Sequence, residues 1–162
     1  MWLKSVVRND IWPPKERFES YNTSINSSYK EHIIPEAQSK SGIYAFKSIE
    51  HAIENIDKTC YRGKLLGKVY LWGVIHKHDF GYRAQFAYPH SITHGICCIC
   101  KKIVSLQTEQ FAIGWAAYHF SESFSVSGFL CKTCNEKFYS INTDLSQKEL
   151  LVLIERYGIN IG

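Results

Sequence analysis

Two short stretches decide the reading of this chain: residues 97–102, "CCICKK", and residues 131–137, "CKTCNEK". They contain Cys97-x-x-Cys100 and Cys131-x-x-Cys134, separated by 30 residues. Two intervening residues let the backbone close a tight knuckle, so that both sulfurs of a pair reach one ion. Two knuckles complete a tetrahedral four-sulfur shell, which Zn²⁺ accepts at about 2.3 Å per bond. Soft thiolates select against Mg²⁺ and Ca²⁺ and leave iron as the competitor. Such a shell has no open position for water, and no His-x-Glu stands beside the knuckles as zinc deaminases require. The expectation is one structural zinc on Cys97, Cys100, Cys131 and Cys134. Cys98 and His94 are the alternatives to Cys97, and Cys60, standing alone, reads as a small buried hydrophobe.

Working outward, the chain has 162 residues, 45% of them apolar and 21% charged, which is ordinary for a folded protein. That length allows one domain or two small ones. The first ten residues, "MWLKSVVRND", hold no long apolar segment of the secretory type. No stretch approaches the roughly 18 apolar residues of a membrane span. A cytoplasmic protein with reduced thiols is therefore expected, and there paired cysteines point to metal rather than to disulfides. The formal charge of +4 would fall to about +2 once four thiolates hold one Zn²⁺. That excess is too small to argue for nucleic acid by itself. It sits in residues 41–95, with seven basic and four acidic residues, around Lys58, Arg62, Lys64 and Lys68. Interleaved with Tyr61 and Tyr70, these lysines and arginine could touch a phosphate backbone, or simply form a solvated face.

Residues 1–40 read as a meandering arm with one short strand, pinned by Trp2 and Trp12, because Pro13-Pro14 forbids continuous helix. Residues 42–47 form a strand, Ser48 an N-cap, and Ile49, Ala52, Ile53 and Ile56 the stripe of a short helix over 49–57. Residues 65–88 read as a hairpin with a three-residue loop at Asp79–Gly81, ended by Pro89. In that register one face carries Tyr70, Trp72, Val74, His76, His78 and Tyr82. The other carries Ile75, Lys77 and Arg83. Strands are expected near 103–107, 111–118 and 124–130. A helix follows from Ser146, with Glu149 completing a capping box, Leu150, Leu153, Ile154 and Tyr157 as its apolar stripe, and Gly158 as its stop. The last residues, "INIG", could pair as a terminal strand.

The cysteine spacing over about residues 95–140 resembles the zinc-ribbon and treble-clef modules. The treble clef implies that the second ligand pair comes from the first turn of a helix. No Gly follows Cys100, where such knuckles often have one; Lys101 stands there. Residues 32–92, with "GIYAF", "LWGVIH" and "GYRAQFAYP", resemble a family of small uncharacterised bacterial and phage proteins, in which a Cys stands where this chain has Ser41; Ser39 stands for another. The "GIYA" strand entering a capped helix also resembles ADP-ribosyltransferase-like folds, which implies a later Glu from a strand; Glu109 and Glu122 are the candidates.

The expected architecture is α+β. A small twisted sheet or partial barrel with one short helix occupies 1–92. A Cys₄ zinc-ribbon or treble-clef module with a C-terminal amphipathic helix occupies 93–162. The expected function is a zinc-stabilised, non-enzymatic binding protein whose ligand is nucleic acid or a partner protein. The alternative is a small-ligand sensor or enzyme, ADP-ribosyltransferase-like or nucleotide-handling, acting through His76, His78, Tyr82 and Arg83. Two imidazoles at i, i+2 beside aromatics suit a planar or phosphorylated ligand, and Arg83 could grip a phosphate with two nitrogens. A second metal on His76 and His78 would need His90 or His94 as well.

Overall fold

The computed structural model describes residues 11–20, 35, 41–55, 64–118 and 124–162. Trp2, Ser39, Lys58, Cys60, Tyr61, Arg62 and Glu122 lie outside the described residues. The fold is α+β, and the described residues form an open, mostly antiparallel sheet, a separate two-stranded sheet and three helices. Among the described residues no helix is long and apolar enough to cross a membrane.

Strand β4 (Gly81–Ile96) is the spine of the larger sheet. It pairs with β3 (Lys64–His78), the strand before it, and in succession along its length with β2 (Ile43–Phe46), β1 (Phe18–Glu19), β8 (Asn160–Ile161) and β5 (Ile103–Ser105). Among the described strands only β8 runs parallel to it. Pro89 does not end this strand, as the sequence suggested, but sits buried inside it. The reason lies in the partners. β1 faces Phe86 and Ala87, β8 faces Ser91 and Ile92, and Pro89 falls in the interval between them, where no amide is asked for on that side.

The chain divides into two compact units. The described part of one comprises 64–68, 90–118 and 124–162. Here β6 (Phe111–Tyr118) and β7 (Phe124–Cys131) form an antiparallel hairpin, in register from Phe111↔Cys131 to Tyr118↔Phe124. Helices α2 (Lys132–Phe138) and α3 (Thr143–Tyr157) follow. Phe111, Leu130, Leu150, Leu153 and Tyr157 are all at most 2% exposed. Each such burial is worth about 1.5–3 kcal/mol. Phe129 stacks on Phe111 at 5.2 Å and presses on the backbone of Gly95, where an added Cβ would fall 2.3 Å from its ring.

The start of α3 departs from the expected capping box at Ser146. Asn142 is the N-cap, its Oδ1 accepting from the amides of Asp144 (2.8 Å) and Leu145 (3.2 Å). Ser146 lies inside the helix, 1% exposed. Its hydroxyl accepts from the Ile113 amide at 2.8 Å and lies within donating distance of the Ile113 and Asn142 carbonyls. The residue that resembled a cap is therefore a polar link from α3 to β6. Gly158 ends the helix as expected, at φ 62, with Ile159 N donating to Ile154 O.

The described part of the other unit comprises 11–20, 35, 41–55 and 69–89. Ser48 caps α1 (Ile49–Asn55), its Oγ accepting from His51 N at 3.3 Å. Trp12 stacks on Phe18 at 5.0 Å. The hairpin turn is shorter than expected: β3 ends at His78 and β4 begins at Gly81, leaving Asp79 and Phe80. A second correction comes from Gly73, which takes φ +76 within β3. A left-handed residue inside a strand marks a bulge, and it reverses the inside–outside parity beyond it. Tyr70 and Trp72 are exposed before it, and Ile75 and Lys77 after it, while Val74, His76 and His78 are half-buried. The expected grouping of Tyr70 and Trp72 with Val74, His76 and His78 does not hold.

Candidate metal centre

β4 ends at Ile96 and the chain turns at once through the first knuckle. Three backbone bonds shape it: Cys97 N to Lys102 O (2.9 Å), Lys101 N to Cys97 O (3.0 Å) and Cys98 N to Phe129 O (2.9 Å). Lys101 takes φ 62 at the position where a Gly would be free of strain. Its ammonium donates to the Cys98 carbonyl at 3.0 Å. The second knuckle forms where β7 becomes α2. Cys131 is the N-cap and Cys134 lies in the first turn, the geometry that the treble-clef resemblance implies for its second ligand pair.

The four sulfurs of Cys97, Cys100, Cys131 and Cys134 all lie within 4.8 Å of one another, and three of these cysteines are buried. Among the described residues no other group of three or more potential ligands converges in this way. The Cys100 and Cys131 sulfurs stand 3.6 Å apart. A tetrahedron with 2.3 Å metal–sulfur bonds has edges of about 3.8 Å, so the donor set fits zinc in chemistry and in size. Cys98 is not in the group; it is buried, with its amide on Phe129. His94 turns its Nδ1 to Thr93 Oγ1 at 2.9 Å.

The thiols differ in acidity. Burial opposes the Cys97 thiolate, but the amides of Cys131, Cys100 and Ile99 and the Cys100 thiol outweigh it and lower its pKa to about 7. Burial, then the neighbouring thiols of Cys131, Cys100 and Cys97, pushes Cys134 far up. Burial also raises Cys131. One ready thiolate among reluctant thiols is a site that binds a cation by giving up protons.

Two supports were not legible in the sequence. Asn135, 4% exposed, closes the loop after α2: its Nδ2 donates to Ile141 O (2.8 Å) and its Oδ1 accepts from Ile141 N (2.9 Å). Glu109 lies in the turn after β5, not on a strand, and holds Lys102 Nζ at 2.6 Å and Ser105 N at 3.1 Å. The Lys102 ammonium, then the Ser105 amide, keeps its carboxyl below the ordinary carboxylate range.

The hairpin residues fall out differently. His76 Nε2 lies 2.8 Å from Pro35 O, and Arg83 Nη1 donates to Ser41 O at 3.1 Å. Arg83 and Tyr44 are cross-strand partners, the guanidinium 5.9 Å from the Tyr44 ring centroid. His78 meets the same ring edge-on at 6.0 Å. Tyr82 pairs with Ala45 and, next to Arg83 on the strand, points to the other face. The structure thus gathers His78 and Arg83 around Tyr44, which the sequence reading had not singled out, and leaves Tyr82 aside. His90 and His94 turn to Ser91 and Thr93, their own chain neighbours.

No protein-family model, no curated protein and no solved structure matches this chain. The resemblance of residues 32–92 to the small bacterial and phage proteins therefore has no support beyond the residues that suggested it.

Proposed function

We propose that this protein is a non-enzymatic binding protein braced by one structural Zn²⁺ on Cys97, Cys100, Cys131 and Cys134, in a treble-clef-like module, and that its ligand is nucleic acid or a partner protein. The observation that carries the zinc reading is the convergence of four sulfurs within 4.8 Å from two knuckles far apart in sequence. Four thiolates fill a zinc shell and quench its Lewis acidity, so the centre organises the fold around it. Elemental analysis should find about one zinc per chain. Cys131→Ser should lose it, and full metal retention by that variant would overturn the assignment.

The nucleic-acid branch is the better supported of the two. Strands β2, β3 and β4 carry Lys64, Lys68, Lys77 and Arg83 and no Asp or Glu. A gel shift with DNA or RNA that weakens steeply with salt is the expected result. Absence of any shift at low salt would favour a protein partner. The second reading, a small-ligand sensor or enzyme at the hairpin, has one observation in its favour: the shielded Nε2 of His78 has no hydrogen-bond partner among the described residues. Its ADP-ribosyltransferase-like form is weakened, because Glu109 is already engaged by Lys102 and Ser105.

A further inference from the structure

We infer that the outward face of α3 joins two copies of this chain, which pack their α3 helices antiparallel about a two-fold axis passing between Leu151 and Val152. The inference stands apart from the nucleic-acid reading above and does not depend on it.

Helix α3 is apolar on two sides. Its inner stripe, Ser146, Leu150, Leu153 and Tyr157, is buried. A surface helix ordinarily turns charged and polar residues to the opposite side. Here that side carries Lys148, Leu151, Val152 and Glu155, at i, i+3, i+4 and i+7, and all four are exposed. Leu151 and Val152 are 58% and 52% exposed. At 3.6 residues per turn they straddle the line that points directly away from the buried stripe. Lys148 stands one turn before them on that line, and Glu155 one turn after. One exposed leucine needs no explanation. Two adjacent large apolar residues framed by opposite charges form a patch that a second copy completes.

The charges select the occupant and its direction. Two such stripes laid face to face and antiparallel set Lys148 of each copy over Glu155 of the other, so symmetry makes the pair twice. Leu151 and Val152 each meet their own counterpart beside the axis. A parallel pair would set Lys148 against Lys148 and Glu155 against Glu155. Within one helix the two charges are seven residues apart, about 10.5 Å along the axis, too far to neutralise each other. Neither is engaged in an ion pair among the described residues. A partner of another sequence would have to supply the reversed charge order independently, whereas a second copy supplies it by construction. The contact is a single helix pair, smaller than the roughly 1,200 Å² of a stable interface, so the association is weak.

The test is sedimentation equilibrium of the full zinc-loaded chain, carried to about 1 mM because an interface of this size is weak. The average mass should rise from 18.7 kDa toward twice that value. Leu151→Asp should abolish the rise. Lys148→Glu and Glu155→Lys should each weaken association by about ten-fold or more, since each sets like charges face to face twice. The double variant Lys148→Glu/Glu155→Lys should associate like the parent. Carbodiimide coupling, which joins a carboxylate to an amine with loss of water, should link Lys148 to Glu155 in the dimer fraction, located by mass spectrometry of peptides. Zinc content and melting temperature establish that each variant is folded. A parent that stays monomeric throughout would overturn the inference. So would association that Leu151→Asp leaves intact, a double variant no tighter than the single ones, or a dimer without the Lys148–Glu155 link.

Discussion

Among the described residues the two units differ in which large apolar side chains they bury. In the cysteine unit Phe111, Phe129, Leu130, Leu150, Leu153 and Tyr157 are buried and the knuckles close beside them. Among the described residues of the hairpin unit Ile43, Ala84 and Ala87 are buried, while Tyr44, Phe46, Trp72, Ile75 and Phe80 are exposed; the cysteine unit leaves Phe138, Leu145, Leu151 and Val152 exposed as well. One unit therefore draws its order from a dry core and a four-thiol centre. The other, among its described residues, is ordered by strand pairing and holds Tyr44, Phe46, Trp72 and Phe80 partly out to solvent.

Removing the metal should break that contrast most sharply. Chelation, or Cys131→Ser, should lower the stability of the cysteine unit by several kcal/mol. Hydrogen exchange is the measurement. Amides of β6, β7 and α3 should lose protection by orders of magnitude, while those of Ile43 and Ala84 lose less; equal loss in both would erase the distinction. Acid should act in the same direction. Because Cys131 and Cys134 are raised, a falling pH returns protons to them and the ion should leave, followed with a colorimetric zinc indicator.

Packing changes come next. Gly95→Ala puts a methyl group into the Phe129 ring and should cost about 1–3 kcal/mol by denaturant unfolding. Ser146→Ala leaves the Ile113 amide without its partner and should cost about 1–3 kcal/mol. A neutral result at Ser146 would mean that water substitutes there. The smallest effect belongs to Glu109. Its pKa is depressed in the folded state, so the pair with Lys102 and Ser105 supports the turn above the unfolded carboxylate pKa and is lost as pH falls through the folded one. Glu109→Gln should remove that acid-side dependence, seen in the NMR shift of the Ser105 amide, with little change in melting temperature.

Sequence spacing alone located the two knuckles, because two residues between thiols has one economical geometry. It also located the Ser48 cap, the Gly158 stop and the strands β6 and β7, though not their pairing, since those signals lie within a few residues of each other. It misread Ser146, whose hydroxyl has a local use as a cap and a distant use on β6; only the packing of α3 against β6 selects between them. It misread Pro89 for the same reason: whether a missing amide matters depends on which strand lies alongside.

What the amino-acid order determined by itself is the donor set, four thiols in two closely spaced pairs of the kind that could hold a soft metal ion; that the pairs converge is a matter of the fold. What the tertiary structure alone decided is which residues share a face. One left-handed glycine and one residue fewer in a turn each reverse the side on which every later side chain of the hairpin lies. No local pattern records that count. For that reason Tyr44, which the sequence places in the "GIYA" strand but not with the hairpin residues, ends beside Arg83 and His78, and Tyr82 does not.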